Sequence, residues 1–340
     1  MSVAVMNAEQ VYIHHIQGLR IKNSHEFIEE DDYFHIGSCS KSILAILAGK
    51  LIEQRKLSWG TRFFDLYPEL KSSSRPEYHS ITLEDLLTCE AGIRGYTTDK
   101  EFFPPIDSNA LNKRYEFAKW LLGEEPISKV DETGKFRHLY SNAGYTLAAL
   151  ILEAVADSSW EELIIQMMNE LNLRLTFGFP TRFNPQQPWG HGYFEFDTAS
   201  NTAIERKTLQ PFAPDNAYRL NELIAPAGDL SMPALDFAKY TQLHLQGLTG
   251  VDKYLQKQTW NHIHFFRSGF SIGVGNSMYY GKQITGFDGS AGTFYCRSII
   301  VPTDNFAFTI MINAGSQNAV DWVTAKLVKK YYNWWWKVWL

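Results

Sequence analysis

Strand-like patterns stand at both ends of this chain, and helical patterns fill the sequence between them. The opening segment SVAVMNAEQVYIHHIQG has β-branched and aromatic residues on either side of a polar turn at Asn7 and Ala8, which predicts two short strands. Beyond residue 265, GFSIGVGNSMYY, GTFYCRSIIVP and NFAFTIMINAG again alternate or run apolar, and a last helix is predicted from about Gln317 to Tyr332. This distribution predicts that the two termini contribute strands to one sheet.

The middle of the chain, from about residue 60 to 225, has the texture of a helical region. TLEDLLTCEAGI, YEFAKWLLGEE and NAGYTLAALILEAVADSSWEELIIQMMNEL carry apolar residues at helical spacing, and PALDFAKYTQLHLQGL follows just beyond it. Proline-rich segments such as FGFPTRFNPQQPWGHGYFEF are expected to be the loops that link these helices.

Length and charge exclude several classes of protein. The 340 residues, 45% of them hydrophobic, are enough for a large core in one domain or two closely packed ones. The net charge of −5 and the lack of a long basic run argue against a nucleic-acid partner. Three cysteines cannot form a complete disulfide framework.

Membrane and export signals are weak. No segment has the roughly 18 uninterrupted apolar residues of a membrane span. The closing NWWWKVWL leaves contact with a membrane interface open, although such a tail more often packs against a sheet or a second subunit. The start MSVAVMNAEQVYIHH does not look like a signal peptide, which leaves the compartment open between the cytoplasm and, if a leader was removed, export. The oligomeric state stays open.

The segment FHIGSCSKSILAILAGKLIEQ predicts a strand, a break at a glycine and an amphipathic helix from Ser38 to about Gln54. Ser38 alone is well explained as the N-cap of that helix. Lys41 is not, because a cation in the first turn faces the positive end of the helix dipole. Residues three apart share a helix face, and burial can lower the pKa of a lysine until it acts as a base. Ser38 and Lys41 are therefore a candidate nucleophile and activator.

Two further segments carry candidate site residues. In RHLYSNAGYTLAALILE, Tyr140 can act as a general base beside a lysine, and Asn142 can bind a substrate carbonyl and the lysine. The alternative is that Tyr140 packs in the core and Asn142 caps the helix. In TGFDGSAGTFYCRSIIVP, glycines allow close approach of a ligand to a strand edge, where the N–H of Ser290 can serve an oxyanion hole. The alternative there is an ordinary hairpin turn.

Taken together and in this order, these segments resemble the serine β-lactamase and penicillin-binding-protein superfamily. The resemblance covers nearly the whole chain and is strongest to the class C-like branch, which includes esterases and D-amino-acid peptidases. FHIGSCSK is similar to the nucleophile segment, ITLEDLLTCEAGI to a helix and loop of the family, and YSNAGY to its tyrosine motif. PWGHG and APAGDLSMPALDFAKY are similar to auxiliary segments of that branch.

The resemblance implies an α+β fold. An antiparallel sheet flanked by helices would be formed by residues 1–60 and 226–340, a mainly helical lobe by 61–225, and the active site would lie in the cleft between them. It also implies roles. Ser38 would be acylated, Lys41 and Tyr140 would transfer protons with the base left open between them, and Asn142 would orient substrate. The N–H groups of Ser38 and Ser290 would form the oxyanion hole.

Two departures from the family pattern affect these expectations. Where the family has lysine or histidine, a small or polar residue and then glycine, this chain has Phe287, Asp288 and Gly289. Phenylalanine cannot attract a carboxylate, and Asp288 is expected to repel one. The second departure is Cys89-Glu90, which stands where relatives often have histidine and threonine.

The function implied is hydrolysis of a small ester or amide through an acyl-enzyme, with no cofactor. A β-lactamase or D-amino-acid peptidase is the alternative, and a non-catalytic ligand-binding or regulatory protein on the same scaffold is the rival of another class. His262 and His264 alternate on what reads as a strand and could share a face as metal ligands. Because no third ligand is spaced nearby, we expect no metal site.

Overall fold

The computed structural model describes residues 1–98, 101–132, 134–200, 202–251, 254–279 and 281–338, with side chains described up to residue 331. The tryptophan-rich segment NWWWKVWL, and with it the question of membrane contact, lies outside the described side chains. In the described part of the chain, none of the helices has the length and apolar character needed to span a membrane.

A seven-stranded antiparallel sheet joins the two ends of the chain, as the sequence predicted. Its order is β2-β1-β12-β11-β10-β9-β8, so the N-terminal hairpin pairs with the last strand. The bounds are β1 Ser2–Met6, β2 Val11–Ile16, β8 Gly269–Phe270, β9 Gly275–Tyr279, β10 Lys282–Ser290, β11 Tyr295–Val301 and β12 Phe306–Ile312, with β3 Tyr33–His35, β4 Thr176–Phe177, β5 Gly190–Asp197, β6 Thr202–Phe212 and β7 Leu230–Pro233 in two smaller sheets.

Helices cover both faces of the large sheet. Their bounds are α1 Ser40–Glu53, α2 Phe63–Leu66, α3 Leu83–Leu87, α4 Lys113–Gly123, α5 Asn142–Ala156, α6 Trp160–Leu171, α7 Pro180–Phe183, α8 Ala234–Thr249, α9 Lys257–Phe265 and α10 Gln317–Val338. Strand β12 illustrates the division, because successive side chains point to opposite faces. Phe306, Phe308 and Ile310 belong to the cluster packed against α10, whereas Ala307 and Met311 belong to the main core that α1 and α8 share.

Helix α5 is the centre of the helical region. Its residues 143–152 are all buried, so the helix is surrounded by other elements and does not lie at the surface with one polar face. Helices α2, α3, α4 and α6 pack around it, and α1 contacts it from the sheet side. This packing brings the start of α5 next to the start of α1. The division into lobes at residues 60 and 225 stays a prediction.

The proline-rich stretch expected to be a loop contains regular structure instead. It includes β4, the short helix α7 and the start of β5, which forms a hairpin with β6. The proline of α7 is at its first turn, where the missing N–H is tolerated. Strand β4 pairs with β7, and β7 pairs with β3, so this small sheet ties the middle of the chain to the segment before Ser38.

The expectation that His262 and His264 lie on a strand was wrong, because both are in helix α9. Residues two apart on a helix point in different directions. His262 contacts Glu84 (Nε2 to Oε2, 3.0 Å) and stacks on Trp59, whereas His264 is buried and contacts His244 (2.9 Å). Within the described residues, no group of three or more His, Cys, Asp or Glu side chains could hold a metal ion.

The buried histidine pair predicts acid sensitivity. Burial lowers the pKa of His264 to about 3 from its usual 6.5 and lowers the pKa of His244 as well. Between pH 3 and 6.5 the unfolded chain therefore binds more protons than the folded one, so stability falls as the pH is lowered through this window. We expect the free energy of unfolding in urea to fall by about 1.4 kcal/mol per pH unit for each such histidine.

The variant His264→Gln removes one of the two titrating groups. The slope of the free energy of unfolding against pH should therefore decrease by about 1.4 kcal/mol per pH unit, whatever the effect of the substitution on stability at pH 7. Asn261→Gln, at an exposed residue of α9 that carries no titrating group, is the control and should leave the slope unchanged. An equal slope in wild type and His264→Gln would contradict the prediction.

Candidate active site

Ser38 lies in the turn between β3 and α1. Residues Gly37–Cys39 form a 3₁₀ turn, and Gly37 has a φ of 49°, in the left-handed region that favours glycine. A Cβ at Gly37 would lie 2.6 Å from the carbonyl oxygen of Ser290 and 2.7 Å from its nitrogen. The turn therefore needs glycine both for its dihedral angle and for the close approach of β10.

The end of β10 packs against the same turn. A Cβ at Gly289 would lie 1.9 Å from the carbonyl oxygen of Ile36, so this position also admits only glycine. Strand β9 pairs with β10 only as far as Gly286, and among the described strands 287–290 has no partner on that side. A free strand edge thus lies beside the turn, and the backbone of Ser290 packs against Gly37, the residue before Ser38. The oxyanion hole formed by the N–H groups of Ser38 and Ser290 stays a prediction.

The amine of Lys41 is buried and has three oxygen neighbours. Nζ lies 3.2 Å from Ser38 Oγ, 2.6 Å from Asn142 Oδ1 and 2.8 Å from the Ala227 carbonyl oxygen. Burial removes water from the ammonium and lowers the pKa of Lys41 to about 7 from its usual 10.5. At neutral pH a large share of the molecules therefore carries a neutral amine at this position.

These three oxygen atoms can satisfy an ammonium, which would donate to all of them, and they can equally satisfy a neutral amine. The carbonyl oxygens of Asn142 and Ala227 can only accept hydrogen bonds, whereas the Ser38 hydroxyl can donate one. A neutral amine has two N–H groups and one lone pair, so it can donate to both carbonyls and accept from Ser38. In the neutral form the arrangement therefore places a lone pair where the Ser38 proton would go.

The orientation of Asn142 is set by its other hydrogen bond. Its Nδ2 donates to the Tyr96 carbonyl oxygen at 2.6 Å, which turns Oδ1 toward Lys41. The alternative interpretation of Asn142 as a helix cap is wrong, because Ser141 is the N-cap of α5 and accepts from the Gly144 N–H at 2.9 Å. The Asn142 side chain is thereby left for the site.

Tyr140 is hydrogen-bonded to Ser38 through its side chain. Its ring centroid lies 4.6 Å from Lys41 Nζ, and Phe270 packs edge-on against the ring at 5.7 Å. Burial raises the pKa of Tyr140 well above its usual range, and the hydrogen bond to Ser38 offsets only part of this effect. Tyr140 therefore keeps its proton at neutral pH, and can donate a hydrogen bond there more readily than it can accept a proton.

The first two residues of Phe287–Ser290 point to opposite faces of the sheet. The Phe287 side chain is buried, and its ring contacts Phe237 and His244 on α8. Asp288 forms two hydrogen bonds with Arg297, of 2.7 and 2.8 Å. The same guanidinium also pairs with Asp321 at 2.7 Å, so the three groups together keep one negative charge, and the expected repulsion of an anion by Asp288 stays a prediction. Asp288 remains the more exposed member of this pair, at 47% against 10% for the Arg297 side chain.

A cavity of about 540 Å³ extends from Ser38 along the free edge of β10. Lys41 is the one cationic side chain and Asp288 the one carboxylate among the described residues that line it. The apolar part of the lining includes Phe270, Ile284 and Phe287. The cavity is therefore suited to a small substrate with little net charge.

Two groups that contribute to this site could not be predicted from residue types alone. The Ala227 carbonyl belongs to the backbone, so the type of residue 227 does not reveal that its oxygen contacts Lys41. Phe270 looks like any apolar strand residue in the sequence, but it packs against Tyr140 and lines the cavity.

Comparison with known proteins assigns the chain to a family. The family model described as β-lactamase matches residues 1–331. This chain belongs to the β-lactamase family. The match confirms the resemblance to the serine β-lactamase and penicillin-binding-protein superfamily that the motifs around Ser38, Tyr140 and Gly289 indicated.

Two curated members of the family are similar in sequence. A β-lactamase from Providencia stuartii is 24% identical over 76% of this chain and 63% of its own length. The putative penicillin-binding protein PbpX from Bacillus subtilis (strain 168) is 24% identical over 73% of this chain and 56% of its own length. The chain therefore spans less than two thirds of the length of either relative.

Solved structures of family members confirm the fold. The D-amino acid amidase from Ochrobactrum anthropi SV3 has a TM-score of 0.74 at 16% identity and covers 98% of this chain and 94% of its own. A class C β-lactamase from Rhodobacter sphaeroides has a TM-score of 0.70 at 18% identity, with coverages of 96% and 94%. The predicted antiparallel sheet flanked by helices is thus the fold of this family.

We expect Ser38 to be the one residue acylated by a serine-directed fluorophosphonate, because it alone contacts both Lys41 and Tyr140 among the serines that line the cavity. Intact mass and peptide mapping should give one adduct in wild type and none in Ser38→Ala. Ser277→Ala, at another serine of the cavity, is the matched control and should keep the adduct. Labelling that persists in Ser38→Ala would remove the nucleophile assignment.

The pKa of Lys41 predicts how activity depends on pH. If the neutral amine is the base, kcat/KM for an uncharged ester should rise about tenfold per pH unit and level off above a midpoint near 7. Lys41→Met should abolish this dependence and lower turnover by at least about 10²-fold. Tyr140→Phe should lower the plateau and keep the midpoint, since Tyr140 stays protonated throughout. A midpoint that moves in Tyr140→Phe would contradict these roles.

Proposed function

We propose that this chain is a serine hydrolase that forms an acyl-enzyme on Ser38 and acts on a small neutral ester or amide. The observation that carries the proposal is the amine of Lys41, which is buried without a carboxylate partner among the described residues and hydrogen-bonded to Ser38. A buried amine with a pKa near 7 is poised to exchange a proton at neutral pH.

Acylation starts with attack of Ser38 Oγ on the substrate carbonyl carbon. Lys41 takes the hydroxyl proton, and the N–H groups of Ser38 and Ser290 stabilise the oxyanion of the tetrahedral intermediate. When this intermediate collapses, the bond to the leaving group breaks. The Lys41 ammonium returns its proton through the Tyr140 hydroxyl to the leaving oxygen or nitrogen, so that a neutral alcohol or amine departs.

Deacylation repeats the sequence with water. A water molecule attacks the acyl carbon while Lys41 takes one of its protons, and the same two N–H groups hold the new oxyanion. The bond to Ser38 Oγ then breaks and the serine recovers its proton from Lys41. The sum is one ester or amide and one water converted to an acid and an alcohol or amine, with the enzyme unchanged and without a metal or cofactor in any step.

The proposal of a neutral substrate rests on the lining of the cavity. Phe287 supplies no charge at the strand edge, and Lys41 is too deep and too fully bonded to bind a carboxylate. An anionic group near the edge would meet the Asp288 carboxylate before the Arg297 guanidinium behind it. Losing one charge-assisted hydrogen bond weakens binding by about 1.5–3 kcal/mol, or roughly tenfold to more than a hundredfold.

A second candidate is hydrolysis of a β-lactam or a D-alanyl peptide. It is favoured by the relatives described as β-lactamase and penicillin-binding protein. A non-catalytic protein on the same scaffold is the rival of another class, and the change at Phe287 favours it. The contact of Lys41 with Ser38 argues against that rival, since binding alone does not need a base at a hydroxyl.

Substrate choice can be tested with a neutral p-nitrophenyl ester and a chromogenic cephalosporin, which carries a carboxylate. We expect kcat/KM for the ester to exceed that for the cephalosporin by at least tenfold in wild type. Asp288→Asn removes the carboxylate and leaves Arg297 in place, so it should raise kcat/KM severalfold for the cephalosporin and leave the ester unaffected.

Phe287→His tests the loss of the protonatable residue that the family has at this position. Histidine is chosen over lysine because the Phe287 ring is packed in the core. This variant should also reduce the ratio of kcat/KM for the ester to kcat/KM for the cephalosporin. Preference of the wild type for the cephalosporin would give the β-lactamase candidate the lead. Neither turnover nor Ser38 labelling with any of these compounds would favour the non-catalytic rival.

A further inference from the structure

His35 lies directly behind the turn that carries Ser38. Its side chain is fully buried and packs against the rings of Phe179 and Phe294. The N–H of Gly37 donates to His35 Nδ1 at 3.1 Å, and His35 Nε2 lies 3.0 Å from Asp229 Oδ1. The roles assigned above to Ser38, Lys41, Tyr140 and Asn142 do not involve this histidine.

These two contacts assign the tautomer of the ring. An atom that accepts from a backbone N–H must carry a lone pair, so Nδ1 is unprotonated. A neutral imidazole then has its proton on Nε2, which donates to the Asp229 carboxylate. The other tautomer, or a doubly protonated ring, would point an N–H at the Gly37 N–H. Asp229 therefore selects the one form of His35 that the turn can use.

Both sides of Gly37 are held in this way. Its N–H is bound by His35, and its carbonyl oxygen accepts from Ser40 Oγ at 2.7 Å. In a planar trans peptide the carbonyl of Gly37 and the N–H of Ser38 point in opposite directions. Fixing Gly37 at its left-handed φ of 49° thus fixes the direction of the Ser38 N–H, one of the two donors of the proposed oxyanion hole.

The partner of His35 also belongs to the segment that holds the base. Ala227 accepts from Lys41, Gly228 packs on Gly37 and Ser38, and Asp229 binds His35. A Cβ at Gly228 would lie 3.6 Å from the Gly37 carbonyl carbon, an ordinary contact distance. Three consecutive residues therefore contact the base, the turn and the histidine behind the turn.

We infer that His35, with its tautomer set by Asp229, is a positioning residue that aims the Ser38 N–H into the oxyanion hole. This inference rests on the proposed function, because the donor matters only if an oxyanion forms there. Removing one oxyanion-hole donor outright lowers kcat by about 10²–10³-fold. Loss of the contact that orients the Ser38 N–H should lower kcat by a smaller factor and leave KM unchanged.

The test compares three variants under ester turnover. His35→Leu removes the acceptor for the Gly37 N–H and should lower kcat at least tenfold with KM within about twofold of wild type. His35→Asn places Oδ1 near the position of Nδ1, keeps the acceptor and should recover most of kcat. Asp229→Ala leaves the tautomer unselected and should fall between the two.

Ser231→Ala is the matched control. Ser231 is the cross-strand partner of His35 and is fully buried, and its hydroxyl donates to the Gly178 carbonyl oxygen at 2.7 Å. Losing this bond disturbs the same small sheet without touching Gly37, so kcat should stay at the wild-type value. Thermal unfolding of every variant separates loss of folding from loss of position.

A second measurement does not depend on turnover. In ¹⁵N-histidine-labelled protein, the signal that disappears in His35→Asn should show a neutral ring protonated at Nε2. A proton on Nδ1, or equal losses of kcat in His35→Leu and His35→Asn, overturns this inference alone. A wild type with the Nε2–H tautomer that neither labels at Ser38 nor turns over any ester overturns the proposed function instead.

Discussion

The buried amine of Lys41 is the interaction on which the rest of the site depends. Its three oxygen partners come from the starts of two helices and from the backbone before β7, at Ser38, Asn142 and Ala227. A buried polar group without a partner costs about 1–3 kcal/mol, and a buried charge costs more. The amine is therefore satisfied only when all three segments are in register, which ties the nucleophile helix, the helical region and the small sheet together.

Close backbone packing provides the precision that this network needs. Side chains are absent at Gly37 and Gly289 because β10 and the nucleophile turn touch through their main chains. Such contacts have few adjustable torsions, so the proposed oxyanion donors are held by the fold itself and not by flexible side chains. The same packing leaves the last residues of β10 as an open edge along which a substrate can lie.

Residue types and their spacing predicted local elements of this architecture, and a residue placed where it is locally unfavourable indicated the site. The two N-terminal strands follow from β-branched and aromatic residues on either side of a polar turn, and Lys41 was singled out because a cation at a helix start needs an explanation. Hairpin β5–β6 was missed because prolines and glycines before it are typical of loops. Helix α9 was mistaken for a strand because its two histidines alternate. The ion pair between Asp288 and Arg297 depends on the register of β10 and β11, which the local sequence does not contain.

One physical cause separates the roles proposed for Lys41 and Tyr140 in proton transfer. Burial disfavours whichever form is charged, so it lowers the pKa of Lys41, whose acid is charged, and raises the pKa of Tyr140, whose base is charged. At neutral pH the same pocket thus holds a neutral amine that can accept a proton and a neutral phenol that can donate one. Both contact Ser38, and in the molecules that carry the neutral amine neither brings a net charge into the core. The sequence left the base open between Lys41 and Tyr140, and their shared burial favours Lys41.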